Sequence, residues 1–309
     1  MKSVSVSGTV IRSTGSWYSV LFADRSVMDC RLKGVFRIRG IRTTNPIAVG
    51  DRVIVEVSEG DSGGNITHIE PRTNYLIRKA TKLSKASHII AANIDQMVIL
   101  ASLIKPRTST GFIDRLLVTS EAYHIPAVIV FNKTDLYKGE IEDYLQWLIR
   151  TYQNLGYQCL ATSALNNLNI DAFREMLTNK VSLLSGHSGV GKSAIINSAD
   201  GKLDLKTGSI STAHDKGMHT TTFAEMFPLS FGGAVIDTPG IKEFGLVEFE
   251  PSELGQRFPE FRMRMDQCRF NNCLHLDEPG CAVKEALNRD EIAEFRYINY
   301  LNMLDEIKS

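Results

Sequence analysis

The chain has 309 residues, 43% hydrophobic and 23% charged, with 35 basic and 35 acidic side chains and a formal net charge of zero. That length suits two or three domains with ample core, and the balanced charge excludes a globally basic nucleic-acid coat, so any such contact must come from local patches. Nothing approaches the run of roughly 18 apolar residues that a membrane span needs, and Met1-Lys2-Ser3-Val4 lacks the apolar core of a signal peptide. The expectation is a cytoplasmic protein with no membrane partner. Five cysteines, three of them between 268 and 281, suggest metal binding rather than a disulfide framework.

Residues 1–72 read as five short strands: Val4–Ile11, Trp17–Phe22, Val27–Leu32, Val53–Val57 and Asn65–Ile69. β-branched and aromatic residues dominate them, and turn residues such as Gly15 and Gly50-Asp51 separate them. Five short strands suit a small closed barrel of the OB type. Between them, Arg31, Lys33, Phe36, Arg37, Arg39 and Arg42 form an acid-free stretch, either an RNA surface or a solvated basic loop. Arg72 to Lys85, with Arg78, Lys79 and Lys82, reads as a basic linker leaving the barrel.

From about residue 90 the pattern changes. Buried apolar runs at Met97–Ala101, Ala127–Phe131, Tyr157–Ala161, Val181–Leu184 and Ala234–Ile236 alternate with helical stretches at Phe112–Tyr123, Ile141–Leu155 and Ile170–Leu177. Such alternation means a parallel sheet covered on both faces, with ligands gathered at the carboxyl ends of its strands. The chemistry-bearing residues lie just after those runs.

Gly186-His187-Ser188-Gly189-Val190-Gly191-Lys192-Ser193, with Ala194 opening a helix, fits G-x-x-x-x-G-K-[ST], the phosphate-binding loop. Its glycines let backbone N–H groups surround phosphate oxygens; Lys192 reaches the β- and γ-phosphates and Ser193 offers a hydroxyl to magnesium. His187 fills a variable position and takes no chemical role. Asn132-Lys133-Thr134-Asp135 fits N-K-x-D, whose carboxylate accepts hydrogen bonds from guanine N1–H and the exocyclic amine; adenine lacks that donor pair. The Lys133 stem can lie along the base, while Asn132 pins neighbouring loops. Thr162-Ser163-Ala164 stands where the Ala164 N–H meets guanine O6; taken alone it is an ordinary helix start.

Asp237-Thr238-Pro239-Gly240 carries a carboxylate for a magnesium-bound water, and Gly217 to Thr222 supplies a threonine for the same ion. Thr221 is the choice, with Thr220 and Thr222 open. Ile241 replaces the glutamine that positions water in Ras-type enzymes, so intrinsic hydrolysis should be slow. His219 is the candidate catalytic substitute, or else a loop histidine that contacts RNA or protein. Against the order of a Ras-like GTPase the motifs are rotated: N-K-x-D, T-S-A, glycine loop, threonines, D-T-P-G. Rotation preserves the packing of the sheet. It also places D-T-P-G next to the C-terminal part, which nucleotide state could then move.

In residues 246–309, Cys268, Cys273, His275 and Cys281 form a Cys₃His set suited to one tetrahedral zinc ion, with Pro279-Gly280 turning the last cysteine back. Cys30 and Cys159 read as core. Helices about Ser252–Phe258 and Val283–Leu304 should flank the metal, and Arg257, Arg262, Arg264 and Arg269 leave a local basic surface.

With these motifs in view, the chain resembles the RsgA (YjeQ) family of circularly permuted GTPases over nearly its whole length. The most specific features are the rotated order, Gly217 to Thr222, and Cys268 to Val283; Lys242 stands where arginine is frequent. The resemblance implies three parts: an OB-like RNA-binding barrel at 1–72, a circularly permuted GTPase domain at 73–245 and a helical zinc domain at 246–309. It implies GTP hydrolysis stimulated by the small ribosomal subunit during its late maturation, rRNA binding by barrel and zinc domain, and release on hydrolysis. The partners are then the small subunit and GTP or GDP, and the chain is expected to be a monomer. The rival readings are a non-catalytic GTP sensor on RNA and an ATP-dependent enzyme, the latter disfavoured by Asp135.

Overall fold

The structure, a computed structural model, describes residues 3–33, 46–58, 63–78, 88–203, 205, 224–237 and 250–308. Phe36, Arg37, Arg39, Arg42, Lys79, Lys82, Gly217 to Thr222 with His219 and Thr221, and Thr238 to Lys242 lie outside the described residues.

The elements in chain order are β1 (Ser3–Ser13), β2 (Tyr18–Phe22), β3 (Val27–Leu32), β4 (Arg52–Ser58), β5 (Gly64–Ile69), β6 (Tyr75–Arg78) and β7 (His88–Ala92). Next come β8 (Gln96–Ala101), α1 (Thr110–Ala122), β9 (Ala127–Phe131), α2 (Glu140–Asn154), β10 (Gln158–Ala161), α3 (Ile170–Leu177), β11 (Val181–Ser185) and α4 (Lys192–Ala199). β12 (Glu225–Pro228), β13 (Ala234–Asp237), α5 (Pro251–Leu254), α6 (Pro259–Arg262), α7 (Ala282–Asn288) and α8 (Glu294–Lys308) complete them. The chain divides into two compact units, one of Met1–Met97, Ile170–Ser185 and Lys192–Glu243, the other of Val98–Asn169, Gly186–Gly191 and Phe244–Ser309.

In the first unit, β1 pairs antiparallel with β2, β2 with β3, β3 parallel with β5, β5 antiparallel with β4, and β4 with β1. The five strands close into a barrel of the OB type, so no edge is left between them. Its core is Val10, Tyr18, Val20, Cys30, Ile47, Val53, Val55 and Ile66. Alternate residues of β4 point inward, the period of two that the valines at 53, 55 and 57 announce. Lys33 pairs with Glu56 at 2.5 Å, and Arg31 lies 3.8 Å over the Trp17 ring.

Two seams join the barrel to the rest of its unit. β1 pairs antiparallel with β12 through Arg12 and Glu225, and β12 pairs antiparallel with β13, which runs parallel to β11. The other seam is at Gly50. Its φ is +91°, and a Cβ there would stand 2.1 Å from the Ala92 carbonyl oxygen, so only glycine fits. Asn93 Nδ2 donates to the Gly50 carbonyl at 2.9 Å, and the Asp95 N–H donates to the Val181 carbonyl at 2.9 Å. Beside this seam the fully buried Asp51 carboxylate takes Arg72 Nε and Nη2 at 2.6 Å each and the Ala48 N–H at 2.8 Å. The stretch after Arg72 is therefore not the plain linker that its basic residues suggest. It contains β6, paired antiparallel with β7.

In the second unit β10, β9 and β8 are neighbours in that order, with β10 and β9 parallel. Their apolar residues are buried because helices cover such sheets on both faces. Ser109 caps α1, its Oγ accepting from the Phe112 N–H at 3.2 Å. Glu140, Glu142 and Asp143 in the first turn of α2 oppose the positive end of its dipole. The Val283–Leu304 stretch is not one helix. α7 ends at Asn288 and α8 starts at Glu294, with Asp290 between them in the left-handed region at φ 56°.

Charge is buried at the centre of this unit. Arg296 on α8 donates to Asp114 of α1 at 2.6 Å and, through two nitrogens, to Glu260 of α6 at 2.7 and 3.1 Å. Tyr152 Oη and Asn299 Nδ2 complete the Asp114 carboxylate at 2.8 and 2.6 Å. All three charged residues are at most 2% exposed. Removing the cation would leave two carboxylates buried, which typically costs about 3–5 kcal/mol. Arg296→Ala is therefore expected to lower unfolding free energy by about that much, read as a shift in urea midpoint. A shift no larger than an exposed-arginine control such as Arg289→Ala would overturn that account.

Candidate functional site

The N-K-T-D residues follow β9 directly. Lys133 is in the left-handed region at φ 66°, and Thr134–Leu136 forms a 3₁₀ turn. The chain thus reverses sharply after the strand. Asn132, 1% exposed, is a junction: its Nδ2 donates to the Val190 carbonyl at 3.1 Å, and its Oδ1 accepts from the Ala164 N–H at 3.3 Å and Thr162 Oγ1 at 3.4 Å. Lys133 Nζ donates to the Gly189 carbonyl at 2.7 Å and to the Lys105 carbonyl at 2.5 Å. The Thr134 N–H and Oγ1 both bond the Thr162 carbonyl, at 3.1 and 3.0 Å. Ser163 Oγ donates to Asp135 Oδ1 at 2.5 Å.

Three stretches far apart in sequence thus meet in one unit: 132–135, 162–164 and the glycine loop 186–191. Gly191 shows how close they come. Its φ is +100°, and a Cβ would lie 2.5 Å from Asn132 Nδ2. His187, whose position suggests no chemistry, has its ring stacked on Phe112 of α1 with centroids 3.9 Å apart. Sequence reasoning missed Phe112, and no motif could have marked it.

In the first unit, Lys192 and Ser193 open α4 and are 9% and 7% exposed; Asp237 ends β13 and is 8% exposed. Burial pushes the Lys192 ammonium below the usual lysine range, and the negative charge of Asp237 opposes that shift. A buried ammonium of this kind gains when a polyanion arrives, because the ligand supplies the charge that water no longer does. The carboxylate and hydroxyl offer the hard oxygens that magnesium prefers.

The four residues Cys268, Cys273, His275 and Cys281 are buried, and their ligand atoms all lie within 4.8 Å of one another. His275 Nδ1 is 3.4 Å from Cys281 Sγ and 3.8 Å from Cys268 Sγ. Metal–sulfur bonds of about 2.3 Å in a tetrahedron put ligand atoms about 3.8 Å apart, so the cage has the size of a tetrahedral ion. Burial and the neighbouring sulfurs push the Cys273 thiol up to about 12, and burial pushes Cys281 up as well. Burial pushes His275 down, towards the neutral, ligating form. A divalent cation reverses the thiol penalty by binding thiolates. The loop around the cage is braced. Glu278 accepts the Leu274 and Leu276 N–H groups at 2.7 Å each, and Tyr297 and Tyr300 of α8 donate to the His275 and Leu274 carbonyls at 2.6 and 2.7 Å. Cys30 is fully buried, whereas Cys159 is only partly buried; burial pushes their thiols up to about 11 and 12, which disfavours the nucleophilic thiolate at neutral pH.

The basic surface expected beside the cage is smaller than the sequence suggests. Arg262 pairs with Glu121 at 2.9 Å and Arg264 with Glu291 at 3.2 Å. Arg269 stays exposed, its guanidinium 5.6 Å from the Phe270 ring centroid.

The RsgA GTPase family model matches residues 69–247, and the RsgA N-terminal domain model matches residues 7–64. A protein of Christiangramia forsetii named small ribosomal subunit biogenesis GTPase RsgA is 51% identical over 300 residues, covering 96% of this chain and 95% of its own. A protein of the same name from Flavobacterium johnsoniae is 51% identical over 302 residues, covering 97% and 93%. Among solved structures, YjeQ from Thermotoga maritima superposes with a TM-score of 0.80 at 34% identity, covering 99% of both chains. YloQ, described as a circularly permuted GTPase, gives 0.75 at 31%, covering 99% of this chain and 96% of its own.

The sulfur and nitrogen cage makes a further prediction. Purified protein should hold one divalent transition-metal ion per chain at the Cys268, Cys273, His275 and Cys281 group. Cys281→Ser should lose most of it, by elemental analysis, and unfold at lower temperature. Full metal content in that variant would show that the ion sits elsewhere.

Proposed function

Because the chain belongs to the RsgA GTPase family, we propose that it hydrolyses GTP to GDP and phosphate on the small ribosomal subunit and assists that particle's late maturation. The observation that carries the nucleotide reading is the bonding of the guanine loop to the glycine loop, Asn132 to Val190 and Lys133 to Gly189. Two loops that read a base and hold phosphates are useful together only if one ligand spans them.

The roles follow from donor and acceptor chemistry. Asp135 accepts guanine N1–H and the exocyclic amine, with Ser163 fixing one of its oxygens. The Ala164 N–H, now on Asn132, is the donor for guanine O6. The Lys133 stem flanks the base. Backbone N–H groups from Gly186 to Gly191 surround the phosphates, and Lys192 neutralises them. Ser193, Thr221 and Asp237 are the magnesium set; the ion, when bound, offsets charge on the phosphate oxygens. His219 orients or deprotonates the attacking water. Zinc fits the Cys₃His cage better than a hard cation, because thiolates are soft ligands.

The barrel at 1–72 and the metal-bearing part at 246–309 bind rRNA, and 73–245 is the permuted GTPase domain. In this reading the protein acts in the cytoplasm, where its subunit substrate matures, and acts as a monomer. No helix among the described residues is long and apolar enough to cross a membrane.

Phosphate release from GTP is expected to be slow alone and to rise by at least about tenfold with small subunits, but not with large ones. His219→Ala should abolish most of that stimulation. Equal turnover with both subunits would sink the partner assignment; unchanged stimulated turnover in the variant would end the catalytic role of His219.

Base reading is tested by Asp135→Asn. An amide donates to the xanthine 2-oxo group where the carboxylate accepted the guanine amine, so the variant should lose GTP by about 100-fold and gain XTP. Unchanged GTP affinity would remove Asp135 from the site.

Lys192 gives a pH dependence. Its protonated form attracts phosphate, and its pKa is lowered in the free protein. Affinity should therefore start to fall as pH rises through that lowered value, earlier than for an ordinary lysine. Guanine N1 also deprotonates in alkali, so the lysine's share is the difference from Lys192→Arg, which stays charged. Parallel profiles for both proteins would contradict it.

A further inference from the structure

One buried side chain beside the guanine loop belongs to no recognition motif. Tyr137 follows the Thr134–Leu136 turn and is 5% exposed. Its Oη donates to the Asn132 carbonyl at 2.7 Å and accepts from the Leu103 N–H at 2.8 Å. Ser102 Oγ lies 3.1 Å away and donates to the Ile104 carbonyl at 2.5 Å. Each hydroxyl has a single proton. With one on Asn132 and the other on Ile104, both protons are committed to backbone carbonyls. The phenol oxygen thereby joins the turn after β8 to the peptide that precedes Lys133.

That turn matters because of what it presents. Its base is closed by Ser102 N–H to Thr108 Oγ1 at 3.0 Å and Thr108 N–H to the Ser102 carbonyl at 2.7 Å. Its tip offers the Lys105 carbonyl to the Lys133 ammonium, which also holds the Gly189 carbonyl of the glycine loop. Lys133 is thus steered from two directions: its backbone by Tyr137 through Asn132, its side chain by a loop that Tyr137 also pins. Burial pushes the Tyr137 hydroxyl above the usual phenol range, so it remains a donor at any physiological pH.

We propose that Tyr137 is a positioning residue for guanine recognition, holding the 132–135 loop against the 102–108 turn so that Asp135 and Lys133 meet the base in one fixed geometry. The inference rests on the reading of 132–135 as the guanine loop. It assigns Tyr137 no contact with the ligand. A buried tyrosine that only fills space would affect heat stability and leave base selectivity alone. A positioning residue alters selectivity, because Asp135 must be aimed to accept two hydrogen bonds at once.

The test is Tyr137→Phe in the full chain, which keeps the ring and removes the oxygen. GDP affinity should fall by about tenfold, because the loop loses both hydrogen bonds of the phenol oxygen and the ligand must then order it on binding. The second readout is the preference for GDP over IDP. Inosine lacks the exocyclic amine, so that ratio reports the second hydrogen bond to Asp135, and it should shrink severalfold. Ser102→Ala should move both readouts in the same direction by less. Tyr137→Phe protein with GDP affinity within about twofold of wild type and an unaltered GDP to IDP ratio would overturn the proposal, whatever its melting temperature. If that variant does not fold, Ser102→Ala decides by the same two numbers. Wild-type protein that does not prefer GDP to ADP would instead refute the guanine reading itself, before any variant is compared.

Discussion

The Lys133 ammonium is the interaction that ties the loop after β9 to the glycine loop in the second unit. It holds the Gly189 carbonyl of the glycine loop and the Lys105 carbonyl of the turn after β8. Lys133 and Gly189 lie 56 residues apart in the chain. Backbone carbonyls impose no sequence of their own, so the arrangement is indifferent to which loop the ribosome makes first. That is the physical reason a rotated motif order is tolerated. What must survive the rotation is the meeting of loop ends at the carboxyl side of the strands, and strand packing guarantees that.

The second unit pairs this polar junction with a buried ionic one. Arg296 is held by Asp114 and Glu260, and Tyr152 and Asn299 satisfy the lone pairs that remain on Asp114. Such a cluster is a weak source of net stability, since desolvation of the charges offsets much of their attraction. The cluster ties α1, α6 and α8 together through one guanidinium. The same helix, α8, carries Tyr297 and Tyr300 to the carbonyls of the metal loop. One helix therefore braces both the ionic cluster and the thiol cage.

Much of this was legible in the residues, for reasons that differ by element. The barrel strands announce themselves through alternation in stretches such as Val53 to Val57, and the recognition loops through contiguous motifs whose chemistry is local. The thiol cage is legible because its four ligands fall within 14 residues. Features built from distant pairs were not legible. Arg296 and Asp114 are 182 residues apart, and each alone reads as a surface charge. The β6–β7 pair hid behind a basic run that resembles a linker. The break between α7 and α8 was masked by continuous helix-forming composition, and only the left-handed Asp290 marks it. Tyr137 and Phe112 were invisible because their partners are main-chain atoms or a ring that no motif specifies.

The two seams at Arg12–Glu225 and at Gly50 change how the N-terminal barrel is to be regarded. The barrel strands end at Ile69, and the chain that leaves them is not the barrel's sole attachment to its unit. The barrel is stitched by main-chain hydrogen bonds to β12, the neighbour of the strand that ends in Asp237, and through Asn93 to the segment that meets β11. The tip of β13 and the barrel are thus connected through strand pairing and not by the covalent chain alone. The part that the sequence sets apart at 1–72 is, within this unit, bonded to neighbours far along the chain as well as to the residues that follow it.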